Sequence, residues 1–460
     1  MTAPGQYEAP SSTIAAPAHR PGPLGLFSFL RQARDNAIAI YEPGTYARDV
    51  TSRRVGLQQF VLLNQPDYIQ HVLVRHPENY PKGRLNRRVL GPVLGDGLLT
   101  SEGETWRRRR RTLAPAFHQR RLAALAPAMV AEVERQRIRW EQLSTTGAPC
   151  DMMQEMMALT MRIAARTLFS FDVGEEADRL GRFITTLIDG FGRPSVPDLL
   201  GLPEWLPLRR SAEARRALQE LDSTIYRVIA ERRAGTRRDD LLDMLLEARD
   251  EETGAALDDR ELRDEVATLF VAGYETTSLA LTWTWYLLAL HPQAEARLHQ
   301  ELSTVLAGRP ARLEDLDRLS YTRMVFEEAM RLFPPAFSFN RVALREDQIG
   351  PHRIPKGALV YLSPWVTHRN PNLWPQPTRF EPARFLPEAV RERHKYAYFP
   401  FGGGPRVCIG NSFAMNEGRL ALATLAQGFA PRMVPDHPVV PQGRVTLRPQ
   451  HGMMMTLESR

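Results

Sequence analysis

The sequence predicts a mainly α-helical chain with a small β-rich region. Helical periodicity is the first observation, because apolar residues recur three and four positions apart. Four segments share this spacing: 103–118, 120–142, 152–170 and 210–233. The second observation is a long helical run from about Asp258 to His291, which stops at Pro292 because proline cannot continue the hydrogen-bond ladder. The third is a change after about residue 338, where β-type runs broken by glycine and proline replace the helical pattern.

Shorter elements complete this picture. They are, in chain order, a hairpin within 45–63, helices at about 293–305 and 320–333, strand-like runs within 338–365 and a last helix from about Cys408 to Gly428. The proline-rich segment 369–405 is predicted to be irregular. A loop of that length inside a compact domain is usually functional.

The chain is expected to form one domain after a flexible leader. Residues 1–25 are rich in proline, alanine and serine and lack the basic and then apolar pattern of a secretory signal. No strong linker and no internal repeat follow, so residues 26–460 are assigned to a single domain. The apolar stretch Leu269–Leu290 is long enough to cross a bilayer, but Glu275 in its first half would be costly in lipid. We therefore expect a helix buried in protein and no integral membrane anchor.

Composition narrows the class of protein. The 460 residues are 43% apolar and 25% charged, which is typical of a globular chain. Only two cysteines are present, Cys150 and Cys408, so a disulfide framework is excluded and a reducing, cytoplasmic compartment is expected. The net charge of +7 is dilute over this length and accompanies no nucleic-acid-binding motif. We expect no nucleic-acid partner and favour a local contact with an acidic partner.

Cys408 is the residue around which the chemistry is expected. Three glycines, at 402–404, allow positive φ and close backbone approach, and Arg406 adds positive charge. If Cys408 opens the last helix, the amide groups and the helix dipole favour a thiolate. One thiolate is too few for a tetrahedral zinc site or an iron–sulfur cluster, but it suits haem, whose porphyrin supplies four ligands. A buried, inert cysteine is the alternative.

The segment FGGGPRVCIG resembles the cysteine loop of the cytochrome P450 family, Phe-x-x-Gly-x-Arg-x-Cys-x-Gly, at every fixed position. The resemblance implies that Cys408 is the iron ligand of haem b (iron protoporphyrin IX). It also implies that Phe401, Arg406 and Gly410 belong to the haem-binding loop. The implied fold holds the haem between the long central helix and the cysteine helix.

A second motif, AGYETT at 272–277, lies in the middle of the long helix. Taken alone, it is compatible with a threonine-rich kink that packs against a neighbour. It is similar to the family's Ala-Gly-x-(Asp/Glu)-Thr groove, which implies that Glu275 and Thr276 are the catalytic acid–alcohol pair. Such a pair can deliver protons through water to bound dioxygen.

Further motifs complete the resemblance. Glu328 and Arg331 are three apart and share a helical face. In the family this pair forms a buried structural network completed by an arginine of the proline-rich segment, here Arg384.

Other side chains are candidates for binding the haem propionates. Trp106 and Arg110 are four apart on one helix face, and a planar guanidinium suits a carboxylate. The resemblance adds Arg341 and His368 as further propionate partners, although a lone histidine is more often structural.

The other arginines of this helix suggest a second surface. Arg107–Arg109 and Arg111, with Arg120 and Arg121, are expected to leave a basic face. It is either a solvated surface or a docking site for an acidic ferredoxin or flavodoxin-type electron donor with its reductase.

Five segments are candidates for the substrate pocket because they are largely apolar and aromatic. They are 87–100, 185–207, 267–276, 335–339 and 450–454. Ordinary core is the alternative for any single residue among them.

The sequence therefore predicts a haem-thiolate monooxygenase of the soluble bacterial type. It would insert one oxygen atom of O2 into a lipophilic small molecule, by hydroxylation or epoxidation of a fatty acid, a terpenoid or a similar compound. Only 50 residues follow Gly410, too few for a fused reductase, so electrons are expected from a separate protein. The alternatives are haem-thiolate isomerisation, dehydration or peroxygenation, and a non-catalytic haem sensor.

Overall fold

The computed structural model describes residues 14–16, 25–170, 212–235, 237–238, 240–250 and 252–460. Within these residues the chain is mainly helical, as predicted. The helices are α1 (Leu26–Asp35), α2 (Pro66–Gln70), α3 (Arg84–Leu94), α4 (Gly103–Leu113), α5 (Gln119–Thr146), α6 (Met152–Phe169), α7 (Ala212–Arg233), α8 (Leu241–Glu247), α9 (Asp259–Leu290), α10 (Pro292–Leu306), α11 (Ser320–Leu332), α12 (Pro364–Thr367), α13 (Pro387–Glu392) and α14 (Asn411–Gly428).

The strands form a small β-rich part. They are β1 (Val50–Val55), β2 (Gln58–Leu63), β3 (Cys150–Asp151), β4 (Phe339–Val342), β5 (Asp347–Ile349), β6 (His352–Ile354), β7 (Leu359–Leu362), β8 (Phe429–Met433), β9 (Pro441–Gly443), β10 (Leu447–Pro449) and β11 (Met454–Ser459). The predicted hairpin is confirmed as β1–β2, which joins a four-stranded sheet of order β1-β2-β7-β4. The smaller sheets pair β3-β11-β8, β9-β10 and β5-β6.

The long helix α9 is the centre of the fold. A capping box between Asp258 and Glu261 satisfies its first amide groups, and the helix ends at Leu290, with His291 as the C-cap, before the next helix begins at Pro292. Its side chains are buried along almost the whole length, which confirms that the apolar run is a helix inside the protein. Among the described residues, none of the helices combines the length and the apolar character that a bilayer crossing requires.

Two hydrophobic clusters meet along α9. Residues 262–274 of this helix pack in a cluster with α3, α6, α7 and α8. Residues 279–288 pack in the other, with α5, α6, α11 and α14. The polar stretch 275–278 therefore falls at the junction between the two clusters, where apolar packing does not require it to be hydrophobic.

Part of the predicted leader is packed rather than flexible. Ile14 is only 5% exposed and joins the core, and the backbone N–H of Ala15 donates to the hydroxyl of Tyr286 on α9 at 2.9 Å. The expectation of a flexible leader is therefore wrong for residues 14–16, because burial of Ile14 anchors them. The leader positions 1–13 and 17–24 lie outside the described residues.

A buried charged network fixes α11 to the proline-rich segment. Glu328 and Arg331 are both 0% exposed and pair side chain to side chain at 2.6 Å. Arg331 also donates to the carbonyls of His368, Pro377 and Arg379. The predicted third member, Arg384, places its Nε 3.5 Å from Glu328. This network holds the irregular segment before the cysteine loop against the helical core.

Candidate active site

The cysteine loop folds back on itself through its glycines. Gly402 and Gly404 have φ of +71° and +65°, which non-glycine residues rarely adopt. A Cβ on Gly404 would lie 1.8 Å from the carbonyl oxygen of Leu73, so no side chain fits there. The N–H of Cys408 donates to the carbonyl of Phe401 at 2.9 Å and closes the loop. The glycines are thus required by both conformation and close packing, as the sequence predicts.

The surroundings of the Cys408 thiol differ from those predicted. Helix α14 begins at Asn411, so Cys408 lies in the preceding loop and does not open the helix. Burial raises the pKa of the Cys408 thiol, while the N–H of Gly410 and the charge of Arg110 act in the opposite direction. The protein alone therefore does not favour a thiolate. A bound metal cation would, because a coordinated thiol is deprotonated.

Arg406 does not act as the charge partner of the Cys408 thiol. Its guanidinium pairs with Glu102 and lies 4.1 Å from the centre of the Trp106 ring. Arg110 is the cation that acts on Cys408, and it donates to the carbonyl of Val407 at 3.0 Å. The expectation that Arg406 acts on the thiol is wrong, because Glu102, distant in sequence, pairs with it; its place in the haem-binding loop stays a prediction.

A cavity of about 890 Å³ joins the predicted site residues. Its walls include Trp106, Arg110, Glu275, Thr276, Arg341, Phe401, Arg406, Cys408 and Gly410. Cys408 is exposed to this cavity although it lies deep in the protein. On the facing helix α9, a Cβ on Gly273 would meet no atom within 4 Å, so open space lies directly against this backbone.

Most of the predicted pocket segments contribute to the cavity. Parts of 87–100, 267–276 and 335–339 line it. Segment 450–454 does not, and Met453 is fully buried in the core, so that prediction is wrong; the preceding turn at 444–446 lines the cavity instead. Segment 185–207 lies outside the described residues.

The acid–alcohol pair lies on the part of α9 that faces the cavity. The hydroxyl of Thr276 donates to the carbonyl of Ala272 at 2.8 Å, which leaves its lone pairs as hydrogen-bond acceptors. Glu275 is 2% exposed and is held on one oxygen, Oε1, by Thr446 at 2.5 Å and by the Nε of Arg448 at 2.7 Å. Its other oxygen, Oε2, accepts no hydrogen bond from the described residues. Glu275 is therefore fixed and ion-paired at the edge of the cavity.

The sequence reasoning missed Thr446 and Arg448. They follow Glu275 by 171 and 173 residues; Thr446 directly precedes β10, and Arg448 lies on it. No local pattern indicates such a contact, because it depends on how the C-terminal strands pack against α9.

One wall of the cavity carries four cations: Lys82, Arg110, Arg341 and Arg406. Arg341 is 7% exposed and forms no ion pair with any described residue. Backbone pairing between residues 82 and 341 places their chains side by side. Glu102, which pairs with Arg406, is the one carboxylate bonded to this group within the described chain. The wall has an excess of positive charge and therefore fits an anionic group.

Lys82 was not predicted as a site residue. Its ammonium donates to the carbonyls of Leu98 and Leu99 at 3.1 and 2.6 Å. Burial, then the charges of Arg406 and Arg341, lower the pKa of Lys82 to about 7. Its only signal in the sequence is rarity, since the chain has three lysines among 60 basic residues.

These residues fit a haem. The described residues contain no cluster of three or more His, Cys, Asp or Glu side chains that could hold a metal ion. A metal at Cys408 would therefore need its other ligands from a bound group, as a porphyrin provides. The cationic wall fits the two propionates of that group, and Gly273 leaves room for a flat molecule against α9.

His368 is not part of this site. It is fully buried outside the cavity, and its Nε2 accepts the N–H of Phe399 at 3.0 Å. Burial and the neighbouring Arg331 lower the pKa of His368 well below its usual value, so the ring is neutral. The predicted propionate contact is corrected to a structural role in the segment before the cysteine loop.

The arginine run on α4 is mostly paired with acidic residues. Arg108 pairs with Glu261, Arg111 contacts Asp250 and Glu252, and Arg109 is 3% exposed beside Glu265. The predicted basic face is therefore smaller than expected, because the loop before α9 and the start of α9 supply carboxylates. Arg107, Arg120 and Arg121 remain exposed.

A further buried acid lies on α14. Glu417 is 1% exposed, the Thr277 side chain is the polar group that acts on it, and neither carboxyl oxygen forms a well-aligned hydrogen bond. Burial raises the pKa of Glu417 to about 8, with Thr277 acting in the opposite direction. With that pKa the carboxyl is mostly protonated at pH 7.

Comparison with known proteins identifies the family. The sequence profile of the cytochrome P450 family matches residues 44–456. The chain belongs to the cytochrome P450 family. It is 40% identical to cyclooctatin synthase of Streptomyces melanosporofaciens over 87% of this chain and 86% of that protein. It is 34% identical to pentalenene oxygenase of Streptomyces avermitilis over 90% of each.

Solved P450 structures share the fold. The haem domain of cytochrome P450DA superposes with a TM-score of 0.80 at 26% identity and covers 97% of both chains. A cyanobacterial P450 solved with bound retinoic acid has a TM-score of 0.78 at 26% identity and covers 90% of this chain and 92% of its own. This P450 is therefore a haem-iron monooxygenase, and the mainly α fold inferred from the sequence is confirmed.

Proposed function

We propose that this P450 binds haem b and inserts one atom of O2 into a lipophilic small molecule by hydroxylation or epoxidation. The observation that carries the proposal is one cavity that joins Cys408, the cationic wall and the Glu275–Thr276 pair. When bound, the haem supplies the dioxygen chemistry, and the protein supplies binding, orientation and control of protons.

In this proposal the protein holds the haem from two directions. The Sγ of Cys408 ligates the iron, and Gly402 and Gly404 let the loop approach closely. Lys82, Arg110 and Arg341 bind the propionates through charge-assisted hydrogen bonds. Arg406 shares this role while remaining paired with Glu102.

Proton delivery is assigned to the polar part of α9. The hydroxyl of Thr276 donates its hydrogen bond to the carbonyl of Ala272, so its lone pairs can accept from a protonated ligand or water in the cavity. Glu275 holds a proton at Oε2 or releases it to water, while Arg448 and Thr446 fix Oε1. The presence of this pair favours monooxygenation over isomerisation, dehydration or peroxygenation.

The substrate is proposed to be a terpenoid, a fatty acid or a similar lipophilic compound. Three features support this class: the largely apolar cavity, the names of two relatives, cyclooctatin synthase and pentalenene oxygenase, and the retinoic acid bound to a structural neighbour. An apolar site of this volume is typical of small-molecule pockets, which range over about 300–1,000 Å³.

Electrons are proposed to come from a separate acidic ferredoxin or flavodoxin-type protein with its reductase. The exposed Arg107, Arg120 and Arg121 supply the positive surface that would attract it. A cytoplasmic location is proposed with it, because both cysteines are free thiols.

The test is turnover with isotopically labelled dioxygen. Purified, haem-loaded protein is supplied with a ferredoxin, its reductase, NADPH and a panel of lipophilic substrates. The proposal expects substrate-dependent NADPH oxidation and a product that gains one labelled oxygen atom. Substrate binding without any oxygenated product across the panel would contradict it.

A further inference from the structure

The backbone of α9 beside the acid–alcohol pair is held from a neighbouring helix. Thr160 on α6 places its hydroxyl 2.8 Å from the carbonyl oxygen of Tyr274, the residue directly before Glu275. Other hydroxyls that donate to carbonyls in this part of α9 belong to α9 itself. They are those of Thr276 to Ala272, Ser278 to Glu275 and Thr282 to Ser278. Thr160 therefore joins two helices, whereas the others make bonds within one.

The hydroxyl of Thr160 has one proton and three carbonyl oxygens within reach. The oxygens of Met156 and Met157, on its own helix, lie at 3.0 and 3.4 Å, whereas the oxygen of Tyr274 lies at 2.8 Å. A hydroxyl donates a single hydrogen bond. The shortest of the three contacts takes the proton, so the hydrogen bond goes to the carbonyl of Tyr274.

Thr160 lies in an apolar interface where a hydroxyl is costly. It is 0% exposed, and Met156, Leu159 and Ile163 on the same helix are also 0% exposed. Taking a hydroxyl out of water costs free energy unless it is hydrogen-bonded. A valine has nearly the same shape and carries no such cost. The bond to Tyr274 is the interaction with α9 that a threonine offers at this position and a valine does not.

The bond acts on the peptide group that leads into Glu275. The carbonyl of Tyr274 and the N–H of Glu275 belong to one planar group, so a bond to the first orients the second. On the cavity side this backbone has no such support, since a Cβ on Gly273 would meet no atom within 4 Å. A hydroxyl at a helix carbonyl also bends the helix locally. The position of this stretch relative to the cavity therefore depends on its contact with α6.

We propose that Thr160 is a positioning residue for the acid–alcohol pair. Its bond to Tyr274 holds the adjacent backbone so that Thr276 faces the cavity and Glu275 reaches Arg448. Thr160 does not line the cavity and touches no reacting group, so it acts through α9. This inference rests on the proposed function, because the pair that it positions is the one assigned to proton delivery.

Substitutions at Thr160 separate the hydroxyl from the packing. Thr160→Val removes the hydroxyl and keeps the shape, and Thr160→Ser keeps the hydroxyl. Thr160→Ala is measured in parallel, so that the test does not depend on how the valine packs. The matched control is Thr167→Val, two turns further along α6. Thr167 is 1% exposed, and its hydroxyl donates to the carbonyl of Ile163 at 2.7 Å and to no described residue of α9.

The first readout is the coupling of NADPH use to product. The substrate is the member of the lipophilic panel that wild-type, haem-loaded protein oxygenates fastest. In Thr160→Val and Thr160→Ala we expect the product formed per NADPH oxidised to fall about 3- to 10-fold, because a small displacement near the reacting atoms is costly. The electrons not used for product should appear in hydrogen peroxide, made from dioxygen with two electrons and two protons. Thr160→Ser should keep most of the coupling, and Thr167→Val should match the wild type.

The second readout needs no substrate. The C–O stretching frequency of the reduced, haem-loaded protein with carbon monoxide responds to polar groups that face the bound ligand. Thr160→Val should shift this band in the same direction as Thr276→Ala, because both change the hydroxyl at the cavity. Thr160→Ser and Thr167→Val should leave the band in place. A residue that only contributed to stability would change denaturant unfolding without moving this frequency.

Two outcomes would overturn the inference. One is wild-type coupling and an unmoved C–O band in both Thr160→Val and Thr160→Ala. The other is an equal change in Thr167→Val, which would assign the effect to the packing of α6 in general. Failure of the proposed function looks different, since no panel substrate would then be oxygenated while the C–O band still distinguished Thr160→Val from Thr167→Val.

Discussion

Two buried glutamates of this protein, Glu328 and Glu275, have the same burial and different surroundings. Glu328 on α11 contacts two arginines, Arg331 and Arg384, and accepts the N–H of Glu381. It lies away from the cavity. Glu275 on α9 lines the cavity and uses one oxygen for Arg448 and Thr446, while the other accepts no hydrogen bond from the described residues.

The difference shows how partners decide the role of a buried acid. A buried charge is tolerated only when it is paired and hydrogen-bonded. Where both oxygens are used, as in Glu328, the group can only support structure. Where one oxygen is left at a cavity, as in Glu275, the same residue type can also exchange a proton.

The largest effect is expected at the structural network. Glu328→Gln leaves Arg331 as a buried, uncompensated charge, so we expect a loss of about 3–5 kcal/mol in the free energy of unfolding. Denaturant unfolding of the haem-loaded protein measures it. Glu388→Gln, at an exposed ion pair, is the control and should change stability by less than about 0.5 kcal/mol. If Glu328→Gln destabilises the protein no more than the control does, the structural role assigned to Glu328 is wrong.

Thr276→Ala should affect catalysis while stability changes little. Loss of the hydroxyl removes the acceptor at the cavity, so we expect the product formed per NADPH oxidised to fall at least ~10-fold. The matched control is Thr284→Ala. Thr284 makes the same bond to the carbonyl four residues earlier, at 2.7 Å, but is buried away from the cavity. If both variants uncouple turnover equally, the effect belongs to the helix and the assignment of Thr276 is wrong.

Arg448→Gln tests whether Glu275 needs its cation. The variant leaves a buried carboxylate with only Thr446 as a described partner, so we expect a loss of about 1.5–3 kcal/mol in stability, together with weaker coupling of NADPH use to product. Arg448→Lys keeps the charge and should restore part of both. Full coupling in Arg448→Gln, with or without a stability loss, would show that the ion pair does not position Glu275 for proton transfer.

The last effect is expected at Glu417, for which no cation among the described residues acts on the carboxyl. The pKa of Glu417 is about 8 in the folded protein and 4.5 as its ordinary value. Below pH 4.5 the carboxyl is protonated in both states. As the pH rises toward 8, only the unfolded state ionises, so the wild type loses stability across this window.

Glu417→Gln removes this pH-dependent loss. The variant should match the wild type near pH 4.5, and its advantage in stability should grow as the pH rises toward 8. Denaturant unfolding at several pH values measures the difference, and the exposed Glu314→Gln should show none of it. A constant difference between pH 4.5 and 8 would mean that Glu417 is ionised in the folded protein.

The sequence predicts this fold well where the pattern is local. The bounds of α5, α6 and α9 agree with the helical periodicity to within a few residues, and the hairpin β1–β2 lies where β-branched residues predict it. Glu328, Arg331 and Arg384 come together as the motif order implies. The helices and the hairpin follow from short-range spacing, and the charged network follows from a family motif in which each member pairs with another.

The sequence predicts least where the contact is long-range. Nothing near Glu275 indicates Arg448, nothing near Arg406 indicates Glu102, and the acidic partners of the arginine run lie in the loop before α9 and at its start. His368 shows a different error, in which a long-range contact was predicted and is not found. Its position in a motif implied a contact with the haem, but the ring accepts a backbone hydrogen bond from Phe399 instead. Side-chain pairing across the fold depends on packing, which periodicity does not encode.

The most direct test of the central claim is the spectrum of the reduced, haem-loaded protein with carbon monoxide. If the sulfur of Cys408 binds the iron as a thiolate, the wild type shows the red-shifted Soret band of a thiolate adduct, and Cys408→Ser lacks it. Absence of that band in the wild type, or its persistence in Cys408→Ser, would contradict the account.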